Sequence, residues 1–160
     1  MTDALTPAQT AWDLSSRPGF LIRRLHQIHV SLFVEECGAL GVTPVQFSVL
    51  TAVAQTPGLE QARLTEQVGV DRTTLAGVVA RLEKQGLVRR RAGRGDRRVK
   101  NVFPTAAGQA LLQRMEAPAR RAHERTLEAL APAERQRFLK MLAQLVDAGN
   151  DYGRAALRLS

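Results

Sequence analysis

The chain is poor in cysteine, aromatics, acid and long apolar runs, and each shortage excludes something. Cys37 is the single cysteine among 160 residues, so no intramolecular disulfide is available and a reducing, cytoplasmic compartment is expected. Aromatic residues make up 4% of the chain, so a core has to be mainly aliphatic. No apolar run approaches the ~18 residues of a membrane span. The first sixteen residues hold neither Lys nor Arg nor an apolar stretch, so no secretory signal and no membrane partner are expected. No glycine-rich phosphate loop, His-Glu-x-x-His or Gly-x-Ser-x-Gly occurs, and the adjacent acids Glu35 and Glu36 should point to different sides of a helix rather than converge. The expectation is therefore a protein that is not an enzyme and needs no cofactor.

What the chain has in excess is base. Lys and Arg number 23 against 15 acids, for a net charge of +8, and the pI near 11.1 lies above the ~9 that marks many nucleic-acid-binding domains. The excess is concentrated. Residues 86–105 read as two short strands around a turn bounded by Gly93 and Gly95. Within them Arg89, Arg90, Arg91, Arg94, Arg97, Arg98 and Lys100 face one acid, Asp96, so twelve residues carry a net +6. Such self-repulsion calls for a negative partner, and a phosphate backbone is the usual one.

The rest of the chain reads as helices. Residues 1–17 form an arm that includes Trp12. Leu21, Leu25, Ile28 and Leu32 recur at helical spacing over 18–40, and Gly38 and Gly41 end that helix. Thr43-Pro44 caps a second helix that runs to Thr56-Pro57-Gly58. A short helix spans 61–69, and Asp71 starts another that carries Leu75, Val78, Val79 and Leu82 to Gly86. After the strands, Thr105 caps a helix from Ala106 to about Leu130. Ala131-Pro132 breaks it, and a last helix with Phe138, Met141, Leu142, Leu145 and Val146 extends toward Leu159. With 44% hydrophobic residues, this is an all-α chain with a small β-wing.

The order helix, Val68-Gly69-Val70 turn, helix, basic hairpin has the parts of a DNA reader. A reading helix needs short polar or basic side chains in its first turn, facing the groove, and an apolar opposite face. Arg72, Thr73 and Thr74 supply the first, and helix capping by the threonines is compatible with contact. Arg81 and Lys84 lie on the remaining polar side, within reach of phosphates. In the hairpin, Arg94, Arg97 and Arg98 serve the tip, and Asp96 beside Arg98 suits a bidentate carboxylate–guanidinium pair aimed at a minor groove.

The stretches Leu64-Thr65-Glu66-Gln67-Val68-Gly69-Val70-Asp71-Arg72-Thr73-Thr74-Leu75, Leu82-Glu83-Lys84-Gln85-Gly86-Leu87-Val88-Arg89-Arg90, Asp96-Arg97-Arg98 and Thr105-Ala106-Ala107-Gly108 resemble the MarR family of winged-helix repressors. The resemblance covers roughly residues 18–150. Pro104 departs from it where leucine is usual and should shift the end of the wing strand. Thr65 departs where alanine is commoner. The resemblance implies a homodimer on a palindromic operator in double-stranded DNA, and release by a small aromatic acid. It divides the chain into a DNA-binding domain at 44–105 and a helical dimerisation region at 18–43 and 106–160. The first helix, Phe20-Leu21-Ile22-Arg23-Arg24-Leu25-His26-Gln27-Ile28-His29, is also similar to repressors of nicotinate-type catabolism. An effector site there would draw on Arg17, Phe20, Arg23, His26, His29 and Phe33.

Other readings stay open at this point. His26 and His29, on a face with Ile22, Val30 and Phe33, suit a dimer seam, a ligand wall or a metal site, although no metal set is complete. Cys37 reads as a buried structural cysteine, with an oxidant sensor as the alternative. The rivals are the same fold responding to metal or oxidant, and a non-specific nucleoid-type protein. Arg94-Gly95-Asp96 reads as a wing turn rather than an adhesion motif.

Overall fold

The computed structural model describes residues 13–153 together with Ala155 and Leu157. Trp12 and most of the N-terminal arm lie outside the described residues. A 3₁₀ turn at Leu14–Ser16, capped by Asp13, leads into helix α1, Pro18–Cys37. Proline at the first helical position costs α1 no internal hydrogen bond. The helix stops at Cys37 rather than near residue 40, because Gly38–Leu40 tighten into a 3₁₀ turn and Gly41 takes a left-handed φ of 74°.

Helix α2, Pro44–Gln55, opens with a reciprocal capping box. The Gln46 amide N–H donates to Thr43 Oγ1 (3.3 Å), and the Thr43 N–H donates to Gln46 Oε1 (2.8 Å); this satisfies two orphan donors. The chain then turns at Gly58, φ 84°, into a two-residue strand β1, Leu59–Glu60. Helices α3, Gln61–Val68, and α4, Arg72–Lys84, follow, joined through Gly69 at a left-handed φ of 69°. Strands β2, Val88–Ala92, and β3, Lys100–Pro104, form the wing. The three strands make an antiparallel sheet in the order β1-β3-β2, with Arg90 opposite Val102 and Leu59 on the other side of Val102.

Strand β1 has no counterpart in the sequence reading. Two residues are too few for an alternation to register, and β1 exists only because β3 presents an edge to it. Pro104 does close β3, opposite Val88. Helix α5, Ala106–Thr126, ends a turn earlier than Leu130. The intervening turn is pinned by Arg135, whose guanidinium donates to the carbonyls of Leu130 (2.8 Å) and Glu128 (3.2 Å). Helix α6, Pro132–Ala148, stops well short of Leu159, at Gly149 and a 3₁₀ turn at Asn150–Tyr152.

The core gathers α2, α3, α4, the wing base and α5. Leu50, Val53, Leu64, Val79, Leu82, Val102 and Met115 are fully buried there. Phe33 and Cys37 bring the end of α1 into it. Long α1 and α5 pack side by side and are stitched by ions: Glu36 takes Arg121 Nε at 2.8 Å and Arg125 Nη1 at 2.9 Å. Glu35 also takes Arg125 Nη1, at 3.1 Å. The two neighbouring acids therefore share one guanidinium across the α1–α5 contact. Helix α6 contributes nothing buried; Leu139, Met141, Leu145 and Val146 are all exposed.

Candidate nucleic-acid interface and effector cavity

The reading helix is set by its cap. Asp71 Oδ1 accepts the Thr74 amide N–H at 2.9 Å, and the Thr74 hydroxyl donates to Oδ2 at 2.6 Å. These bonds, the hydroxyl first and then the amide, hold the Asp71 carboxyl below its usual range. Leu75, Val78, Val79 and Leu82 turn inward, which leaves Arg72, Thr73 and Thr74 exposed on the first turn. Thr74 is thus tied to the Asp71 cap through both its amide and its hydroxyl while remaining exposed. Arg81 is exposed but folded back, its Nε donating to the Gly77 carbonyl at 3.2 Å. Lys84 ends the helix, also exposed.

The wing spreads its cations unevenly. Arg89 and Arg91 flank the Phe103 ring, 5.9 and 5.6 Å from its centroid. Arg90 turns to the opposite face and binds Glu83 on α4. Its guanidinium reaches Oε2 through Nε (2.9 Å) and Nη2 (2.6 Å), and its amide N–H donates to Oε1 at 3.0 Å. The side-chain bond and then the amide bond keep the Glu83 carboxyl low. At the tip, Arg94, Arg97 and Arg98 are exposed. Asp96 Oδ1 accepts both the amide N–H of Arg98 (2.9 Å) and its Nε (3.3 Å). The expected bidentate pair is therefore absent. One carboxylate oxygen shapes the turn and takes a single guanidinium N–H, leaving most of the guanidinium presented outward.

The start of α4 and the wing meet around one open basic cleft of about 340 Å³, lined by Arg72, Arg98 and Lys100 with Glu60, Gln61 and Thr65. The floor of this head is fixed by Thr105 and Gly108. The Thr105 hydroxyl donates to the Gly86 carbonyl (2.6 Å) and accepts the Gly108 N–H (3.1 Å). Gly108 lies so close to the Leu87 carbonyl that a Cβ there would run into its oxygen.

Two further cavities are both lined by His29 and His123. An apolar groove of about 790 Å³ runs between α1, α5 and α6, lined chiefly by Leu21, Ile22, Leu25, Phe138, Leu142 and Leu145, with His26, His29 and His123 at its polar side. A smaller cavity of about 290 Å³ lies where α1 and α5 meet α2 and α3. Its walls include Phe33 and Phe47, whose rings lie 5.8 Å apart and tilted, with Gln55, Gln67, His29 and His123 as polar groups. His29 and His123 stack with centroids 4.9 Å apart, and His29 Nδ1 meets Thr126 Oγ1 at 2.9 Å. Desolvation first, then the charges of His123 and His26, push the His29 imidazole below its usual range. Among the described residues no group of three or more His, Cys, Asp or Glu side chains gathers as a metal site would need.

Of the effector residues expected from sequence, His29 and Phe33 line this cavity, and His26 lines only the groove. Arg17, Phe20 and Arg23 line neither; the Arg23 guanidinium lies over the Phe20 ring, 5.4 Å from its centroid, two turns away. His123, Phe47, Gln55 and Gln67 escaped notice because they sit on three other helices and become neighbours only on folding. Cys37 is fully buried, and burial, then the Glu36 charge, push its thiol up. That is the opposite of an activated thiolate.

The MarR family model matches residues 42–100, from just before α2 to the first residue of β3. The transcriptional repressor NicR of Pseudomonas putida is 32% identical over 144 residues, covering 90% of this chain and 91% of NicR. The structure of PcaV from Streptomyces coelicolor, in complex with its natural ligand, superposes with a TM-score of 0.78 at 33% identity, covering 87% of this chain and 98% of PcaV. Bordetella bronchiseptica BpsR, whose DNA binding is regulated by 6-hydroxynicotinic acid, gives 0.79 at 30% identity, with 83% and 95% covered. With a capped reading helix, a basic wing and this likeness along nearly its whole length, the chain belongs to the MarR family of winged helix-turn-helix, DNA-binding transcriptional regulators.

Proposed function

We propose that the protein is a homodimeric repressor that holds a palindromic operator and releases it on binding a small aromatic carboxylic acid of the hydroxynicotinate type. The observation that carries the DNA half is the convergence of Arg72 with Arg98 and Lys100 around one cleft, which lets α4 enter a major groove while the wing tip meets the adjacent backbone. Arg72, Thr73 and Thr74 face bases and phosphates. Arg81 unfolds from Gly77 to join Lys84 on phosphates. Arg94, Arg97 and Arg98 serve the wing, with Asp96 shaping its turn. Residues 44–105 are then the DNA-binding domain, and 18–43 with 106–160 the dimerisation region, the apolar groove being covered by the second copy.

The effector half rests on the smaller cavity. Its volume is near the lower end of small-molecule sites, about 300–1,000 Å³. Phe33 and Phe47 offer ring walls, and His29 with His123, on taking up a proton as the acid enters, pairs with a carboxylate that burial would otherwise leave unpaired. The acid that regulates BpsR favours this chemistry. The cavity also touches both the long helices and α3, so a bound acid bears on the reading head. A preference of about 1.4 kcal/mol for the released shape weakens DNA binding tenfold.

Footprinting tests the first half: two protected half-sites about one turn apart, roughly 34 Å, are expected, and diffuse protection would instead indicate a nucleoid-type protein. Calorimetry with benzoate, salicylate and 6-hydroxynicotinate, with and without that DNA, tests the second. His29→Ala should abolish the response and spare DNA affinity. If the response survives, or only zinc or peroxide releases DNA, the effector assignment is wrong.

A further inference from the structure

Of the seven cations between Arg89 and Lys100, Arg90 is placed unlike the rest. It lies on the wing face turned toward α4, and one carboxylate, Glu83, takes its amide N–H, its Nε and its Nη2 at 3.0, 2.9 and 2.6 Å. Strand β2 is the outer strand of the sheet. The Arg90 N–H points to the open side, where a further strand would pair, and Glu83 Oε1 stands in for that strand's carbonyl. The two side chains are only 33% and 35% exposed, and a paired guanidinium using its fork on a carboxylate has little left for a phosphate.

We infer that Glu83 and Arg90 are positioning residues for DNA binding: they lock β2 to the last turn of α4, so that reading helix and wing dock as one rigid head. Without the lock, the wing is held to α4 by the Gln85-Gly86-Leu87 turn, with Gly86 at φ 72°, and by Val88 and Val102 buried at its base, and the outer part of β2 must be ordered during binding. Ordering costs affinity without changing which phosphates are met in the complex.

This gives an outcome opposite to simple charge counting. Glu83→Ala removes a negative charge from a DNA-binding head and introduces the best helix former, so electrostatics alone predicts tighter binding. The lock predicts binding weaker by about three- to tenfold, the scale of one net hydrogen bond. Arg90→Lys separates charge from geometry, since it keeps the cation and loses the fork.

The measurement is the affinity of the full chain, as a function of salt, for a duplex recovered from a random pool by the wild-type protein, with thermal unfolding as the control for folding. Weaker binding by Glu83→Ala and Arg90→Lys, and an Arg90→Ala variant that is weaker with an unchanged salt slope, are expected. Tighter or unchanged binding by Glu83→Ala would overturn the inference, as would a slope reduced by about one unit in Arg90→Ala, the mark of a phosphate contact. The inference rests on the wing's role proposed above, and Arg97→Ala keeps the two apart. If Arg97→Ala leaves affinity and slope untouched, the wing reading itself fails. If Arg97→Ala acts while Glu83→Ala does not weaken binding, only the lock fails.

Discussion

Gly108 shows how a single backbone atom ties the long helix to the reading head. It is buried against the Leu87 carbonyl, where a Cβ has no room, and its N–H closes the Thr105 cap. Gly108→Ala should cost about 1–3 kcal/mol as an overpacking change, read as a lower urea midpoint, although alanine is the better helix former. His29 carries a pH dependence of definite sign. Its folded imidazole is held below the ordinary value by desolvation, with His123 and His26 adding repulsion. The unfolded chain therefore binds the proton more readily. The full contribution is present above the ordinary histidine pKa of ~6.5, and is lost as pH falls from there toward the lower folded value. Melting curves from pH 8 to 5 should show a steeper loss for wild type than for His29→Gln; parallel losses would contradict this.

At the scale of elements, α4 and the wing divide their labour between placement and charge. Asp71 places: its Ala variant loses the cap and should cost about 0.5–2 kcal/mol of stability, measured by denaturant unfolding. Arg98 supplies charge, with its side chain 93% exposed and one weak bond to Asp96. If about six to ten phosphates are neutralised by the proposed dimer, affinity should fall by about 10³ to 10⁵ between 50 and 200 mM salt. Arg98→Ala should weaken binding at every sequence and reduce the slope by about one per neutralised phosphate lost. An unchanged slope in fluorescence-anisotropy titrations would take Arg98 out of the interface.

The whole molecule has an incomplete side. Helix α6 buries none of its residues, and Leu21, Ile22, Leu139 and Leu145 are each half-exposed or more around the apolar groove. Exposed apolar area of this kind, at about 25 cal/mol per Å², supports the proposed dimer, in which a second copy covers it. Truncation before Pro132 should give aggregated or unfolded protein in light-scattering and circular-dichroism measurements. A folded, monomeric truncate that still binds DNA would show that α6 is dispensable.

The sequence by itself determined the reading head, because its signals are local. Caps at Thr43, Asp71 and Thr105, breaks at Gly58, Gly69 and Gly86, apolar spacing in α4 and the arginine cluster all lie within a few residues of what they specify. It misplaced the ends of α5 and α6: the Arg135 clamp holds the turn after α5, and Gly149 with the 3₁₀ turn behind it ends α6. Only the tertiary structure decided the rest. It made β1 a strand by giving it an edge, and turned Glu35 and Glu36 onto a shared guanidinium. It also removed Arg90 from the free cations and assembled a histidine-stacked cavity from four helices. The physical reason is range: a hydrogen-bonded turn or helical stripe is encoded over three or four residues. A pairing such as His29 with His123, or Glu83 with Arg90, depends on how whole elements pack.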